Sequence, residues 1–149
     1  MITCTATRYE FGTGDGGYVG VGRPQRRGRA DHESAEKANT ELLDRDYLFV
    51  TTNFILDETY TLLRRRVSAQ QAIRFGQDIR QAVESGALEL ITIGPEIEAE
   101  AWNIFEMYHE VKGLSYTDCT TFAVMRGLGI KDSFTEDEHF SMMGFVRHS

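Results

Sequence analysis

From position 47 onward, apolar residues follow two alternating rhythms. "YLFVTT" (47–52) is a short, uninterrupted run rich in β-branched and aromatic residues, the pattern of a buried strand. "NFILDETYTLLRRR" follows without a break. Phe54, Ile55, Leu62 and Leu63 recur at helical spacing, so a helix starts near Asn53. "SAQQAIRFGQDIRQAVESG" places Ser68 and Gln71 in capping-box spacing, and Gly86 ends that helix. "ALELITI" reads as a strand, and Pro95 opens the helix "EIEAEAWNIFEMYHE". "SYTDCTTFAVM" starts a further helix that stops at Gly127 or Gly129. "IKDSF" is a short strand, "DEHFSMM" a short helix and "GFVR" a last strand. Short apolar strands alternating with helices predict an α/β fold, a mostly parallel sheet covered on both faces.

Upstream the pattern is different. "DHESAEKANTELLDRD" sets Ala35, Ala38, Leu42 and Leu43 on one helical face, with Asp31 able to cap it. Residues 1–30 show neither rhythm. "FGTGDGGYVGVGRPQRRGRA" is rich in Gly and Arg and reads as a poorly packed arm. The expected organisation is an atypical segment, 1–30, followed by one domain, 31–149.

A chain of 149 residues with 41% hydrophobic content can build one ordinary core. No apolar run approaches the ~20 residues of a membrane span. The first residues lack the apolar stretch of a secretory signal. Cys4 and Cys119 stand alone, without metal-binding spacing, which fits a reduced cytoplasm. The net charge of −7 argues against holding nucleic acid by bulk electrostatics. It leaves room for an enzyme that meets phosphate through a bound cation.

In a parallel α/β sheet, ligands bind beyond the carboxyl ends of the strands. Three acids can reach that edge: Glu58 early in its helix, Asp118 in a first turn, and Asp137 just after "IKDSF". Asp118 and Asp137 each have an ordinary reading as helix-start carboxylates favoured by the helix dipole. Glu58 is harder to dismiss, because it falls on the apolar stripe between Ile55 and Leu62, where an unpaired carboxylate is costly. Carboxylates gathered in one cleft repel, and a hard cation such as Mg2+ or Mn2+ relieves that repulsion. Such a site can hydrolyse a phosphodiester. Ser115, Thr117 and Thr135 are short hydroxyls that either orient these acids or satisfy local capping bonds.

Three stretches, "VTTNFILDETYTLL", "LSYTDCTTFAVMRGLGI" and "SFTEDEHFSMMGF", resemble the PIN-domain ribonucleases, in particular the VapC-type toxins of toxin–antitoxin pairs. The resemblance covers about residues 31–147. It implies a PIN-like three-layer α/β/α fold and Mg2+- or Mn2+-dependent hydrolysis of RNA. It also implies a cognate antitoxin protein and frequent homodimers. Carried over residue by residue, it makes Glu58, Asp118 and Asp137 the second, third and fourth acids of the family, with Thr135 the accompanying hydroxyl. His139 and Phe140 match the family's His-Phe pair. Phe140 reads as packing and His139 as structural rather than catalytic.

One departure stands out. The family begins with an apolar strand ending in Asp-Ser/Thr, which supplies the first metal ligand. This chain begins "MITCTATRYEFGTGDGGYVGVG" and shows no such strand; Asp15 is the only nearby Asp, in a Gly-rich setting. The codons of Gly17-Tyr18, read one base later, permit Asp-Thr, and those of Gln25-Arg26 permit Asn-Asp. A shifted reading frame up to about residue 30 accounts for the departure. The expected product is then a PIN fold with impaired activity.

Arg126 and Lys131 bracket the Asp118 helix and are the basic side chains singled out for RNA contact, while Arg64–Arg66 reads as a solvated helix end. The helical hairpin around Ile73 to Val83 offers a docking face or simply core. A rival function is a catalytically impaired PIN-like domain acting as a protein-binding module. A DNA nuclease of the flap-cleaving type would use similar acids, but its larger size and helical arch are missing.

Overall fold

The computed structural model describes residues 6–9 and 48–148. In chain order the elements are β1 (Ala6–Tyr9), β2 (Leu48–Thr52), α1 (Asn53–Arg66), α2 (Ala69–Glu84) and β3 (Leu88–Ile91). They continue with α3 (Pro95–Met107), α4 (Tyr116–Leu128), β4 (Asp132–Phe134), α5 (His139–Met142) and β5 (Val146–His148). The helix expected from Asp31 and the shifted-frame stretch, apart from β1, lie outside the described residues.

The strands form one sheet in the order β3-β2-β1-β4-β5. β2 pairs parallel with β3, and β4 parallel with β5, as the alternating pattern predicts. β1 occupies the central slot and runs antiparallel to both neighbours, with Thr7 opposite Val50 and Ala6 opposite Phe134. This corrects the expectation that residues 1–30 hold no strand, and it makes the sheet less parallel than anticipated. The physical reason is the slot itself. With nothing in it, the inner edges of β2 and β4 would both present unpaired backbone N–H and C=O groups at the centre of the molecule. An extended segment in either direction satisfies them.

Neighbouring residues on β2 serve opposite layers, as strand alternation demands. Val50 joins a core with Ala101, Ile104, Phe122, Met125 and Phe140, on the side of α3 and α4. Phe49 joins Leu56, Ile79 and Leu88 on the side of α1 and α2. The result is the three-layer α/β/α arrangement. The hairpin of α1 and α2 is therefore core on its inner face, while Ile73 points out and is 59% exposed. No helix among the described residues is long and apolar enough to cross a membrane.

Helix ends follow the sequence signals closely. The Thr52 hydroxyl accepts from Ile55 N at 3.2 Å, so β2 passes into α1 with no loop between. Asn53 Oδ1 accepts from Ile93 N at 2.8 Å, tying the start of α1 to the end of β3. The Ser68 hydroxyl accepts from Gln71 N and caps α2. Gly129 closes α4 at φ 69°, a left-handed value that favours glycine.

Behind α5 lies an aromatic cluster. The Phe122 and Phe140 rings meet edge-on at 4.6 Å, and Phe145 stacks on Phe122 at 5.6 Å. Phe122 and Phe140 are wholly buried. This cluster clamps α5, and with it the segment carrying Asp137 and His139, against α4. Phe122→Ala is expected to cost about 3–5 kcal/mol in urea denaturation. A cost below ~1 kcal/mol would contradict the clamp.

Candidate active site

The carboxyl ends of β2 and β4 mark one edge of the sheet. Glu58 rises from the second turn of α1, which leaves β2. Asp118 sits in the first turn of α4, and Asp137 in the short connection between β4 and α5. The structure brings Asp118, Asp137 and His139 into one cluster, with one potential ligand atom from each within 4.8 Å of the others. Glu58 lies just outside it, near enough for its charge and that of Asp118 to oppose each other.

Asp118 is held by its own helix start. Its Oδ2 accepts from Ser115 N at 2.8 Å and from the Ser115 hydroxyl at 2.7 Å, while Asp118 N donates to Ser115 Oγ at 3.0 Å. This is a capping box with Asp in the place of the usual Glu. The helix-start reading of Asp118 is thus correct as far as it goes, yet it employs one oxygen only. The residue is 3% exposed, far more buried than a helix-start carboxylate needs to be. Burial pushes its carboxyl above the usual range, the two Ser115 bonds pull it back, and the nearby Asp137 charge raises it again.

Glu58 is half-buried. Burial raises its carboxyl, the Asp118 charge adds to the rise, and a hydrogen bond from the Thr117 hydroxyl opposes it. Thr117 thus links the second acid to the α4 turn. Thr135 is buried, and its Oγ1 accepts from Asp137 N at 3.0 Å, setting the turn that delivers Asp137. Asp137 Oδ1 accepts from His139 N at 2.9 Å. The three hydroxyls singled out in the sequence therefore each touch an acid or its backbone.

His139 is the member that sequence reasoning set aside as structural. Its ring lies with the acids, and its Nε2 meets the Lys112 carbonyl at 3.0 Å. The available signal was the Asp137-x-His139 spacing, which places both at the start of α5. Arg126 and Lys131 are not brought to the acids. Arg126 lies in the last turn of α4, ~12 Å of helix rise beyond Asp118. Lys131 precedes β4, so both sit toward the opposite edge of the sheet. Another basic residue is nearer: Arg147, whose Nη1 donates to the Glu136 carbonyl at 2.7 Å, next to Asp137. Cys119 is a small buried neighbour whose thiol burial pushes up to about 11, so it is no nucleophile.

The donor set fits a hard divalent cation. Glu58 and Asp118 are both raised by burial and by neighbouring negative charge, a strain that a cation between the carboxylates removes. β1 contributes no acid to this edge. Its register places Ala6 at the acid side, so its C-terminal end leaves at the other.

A three-layer α/β/α domain with clustered acids beyond β2 and β4 describes a nuclease scaffold, and comparison with known proteins gives it a family. The PIN domain model matches residues 26–146, and the chain belongs to the PIN-domain family. The 23S rRNA-specific endonuclease VapC20 of Mycobacterium tuberculosis is 35% identical over 103 residues, covering 65% of this chain and 70% of that protein. A VapC ribonuclease of Archaeoglobus fulgidus is 38% identical over 95 residues, covering 64% of this chain and 56% of the relative. The crystal structure of M. tuberculosis VapC20, described as a sarcin-ricin loop cleaving toxin, superposes with a TM-score of 0.65 at 31% identity. That superposition covers 80% of this chain and 85% of the other.

The raised Asp118 carboxyl has a consequence for stability. A carboxylate whose folded pKa exceeds its unfolded value costs nothing while protonated in both states, destabilises progressively as pH rises from the unfolded value to the folded one, and costs no more above that. In chelator-treated protein, Asp118→Asn is therefore expected to unfold at higher urea than the parent at pH 7. The difference should shrink as pH falls toward ~4. A variant less stable than the parent at pH 7 would show that the cap outweighs the burial.

Proposed function

We propose that the chain is the toxin ribonuclease of a toxin–antitoxin pair, hydrolysing RNA phosphodiester bonds with a divalent metal, Mg2+ or Mn2+. The observation that carries this reading is the convergence of Glu58, Asp118 and Asp137 on one sheet edge from three separate elements. A folded domain has no need for mutually opposed, partly buried carboxylates unless they act together. The relatives support ribosomal RNA as the substrate to try first, since VapC20 is named for 23S rRNA and for the sarcin-ricin loop.

On this reading Glu58, Asp118 and Asp137 would hold the cation, which would supply positive charge and lower the pKa of bound water. The protein's own part is positional. Ser115 fixes one oxygen of Asp118. Thr117 fixes Glu58, and Thr135 fixes the turn of Asp137. Arg147 lies beside the Asp137 turn and is better placed than Arg126 and Lys131 to meet the RNA backbone. The antitoxin and a second copy of the chain are the expected protein partners, and the cytoplasm the expected compartment. The exposed aromatic pair Trp102 and Phe105 on α3, with centroids 5.8 Å apart, offers such a partner an apolar face.

A second reading is favoured by one observation. β1 brings no carboxylate to the acid edge, so among the described residues the site has no counterpart of the ligand that the family's first strand supplies. A domain reduced in this way would bind protein and cleave slowly or not at all. The two readings separate in one assay. Cleavage of rRNA should require added Mg2+ or Mn2+, stop with chelator, and fall by at least ~100-fold in Asp118→Asn. Absence of cleavage by the parent, with intact antitoxin binding, would establish the binding module. Cleavage unchanged in Asp118→Asn would reject the carboxylate site.

A further inference from the structure

His139 is held in a way that the acids alone do not require. Its Nε2 faces a carbonyl oxygen, which can only accept, so Nε2 carries the proton. In the neutral ring, the free lone pair is then on Nδ1. This atom is sealed from solvent and has no hydrogen-bond partner among the described residues. It lies 2.6 Å from Asp137 Oδ1, a contact that is an ion pair only when the ring is protonated. With the ring neutral, two electron-rich atoms this close repel, and a proton or a cation shared by both relieves that repulsion. Adjacent ligands ~2.1 Å from one ion stand in that relation.

The surroundings maintain the arrangement. The loop at Lys112 and Gly113 closes over the ring, and a Cβ at Gly113 would stand 3.5 Å from His139 Cε1. Gly113 also has φ 82°, so the loop's path is one that glycine favours. On the other side Phe140 anchors α5 in the aromatic cluster. A histidine that donates its remote N–H to a carbonyl while presenting its other nitrogen to a carboxylate cluster is oriented as metal-bound histidines are.

The geometry points to His139 Nδ1 as a nitrogen ligand of the metal site, beside Asp118 and Asp137, which makes that site favour Mn2+ and related transition metals over Mg2+. The inference rests on the metal-dependent reading above. Its chemical basis is that imidazole suits first-row transition metals, whereas Mg2+ prefers an all-oxygen shell. It gives the site a nitrogen donor beside the carboxylates, from within the described residues, where the first strand gives none.

The test is pulsed EPR of the full chain loaded with Mn2+, with calorimetric titration of Mn2+ and of Mg2+. The variant is His139→Gln, whose amide can still donate to the Lys112 carbonyl but offers nothing at the Nδ1 position. The expected result is a nitrogen hyperfine coupling in the parent that vanishes in His139→Gln. Mn2+ binding should weaken by at least ~10-fold, and Mg2+ binding by less than ~3-fold. Bound Mn2+ without nitrogen coupling would overturn the ligand role and leave the carboxylate site standing. No Mn2+ binding by the parent would overturn both this inference and the metal-dependent reading beneath it.

Discussion

The arrangement turns on a single buried carboxylate. Asp118 is placed at a helix start that can tolerate it and at the sheet edge where Asp137 and His139 also lie. Ser115 holds Oδ2 from backbone and side chain together. That bond pair fixes the angle at which α4 leaves its loop, and α4 carries Cys119, Phe122 and Met125 into the core. Geometry at the cleft and packing of the interior are thus set by the same turn. An acid in a cavity is usually a burden on stability. Here part of the burden is offset by the cap, and the remainder is the repulsion that a cation can discharge.

The other acids are held by means equally local. Glu58 depends on β2 running into α1 without a loop, so its height above the sheet edge is set by helix geometry from the Thr52 cap onward. Asp137 depends on Thr135, buried at the end of β4, and on the aromatic cluster that keeps α5 from shifting. Three elements that share no sequence proximity converge because each starts or ends at the carboxyl side of a strand. This is the general property of parallel α/β sheets that places ligands at that edge.

Much of this was legible in the chain's text. Helix starts at Thr52-Asn53, Ser68, Pro95 and Ser115, and stops at Gly86 and Gly129, follow from capping chemistry that acts over a few residues. The conflict of Glu58 with its apolar stripe pointed to a site because burial cost is a one-residue argument. What the sequence concealed depends on distant pairing. Nothing in "ATRY" says that it will fill the centre of a sheet, or in which direction, because the demand comes from β2 and β4. The orientation of His139 is hidden for the same reason: it is decided by the Lys112 carbonyl, from a loop that no local rule connects to it. Arg126 and Lys131 looked close to Asp118 in the text, but a helix carries its two ends to opposite sides of the molecule.

The direction of β1 separates two kinds of correctness in one molecule. Backbone ladders accept an extended segment by its shape and scarcely consult its letters, so the central slot can be closed by a strand that delivers nothing to the edge it borders. Solubility, a cooperative melt or a native circular-dichroism spectrum would therefore certify the scaffold while remaining blind to whether its chemistry is complete. For a protein harmful to the cell that makes it, this is a route by which a gene can lose its toxicity while its product keeps the shape that partners recognise.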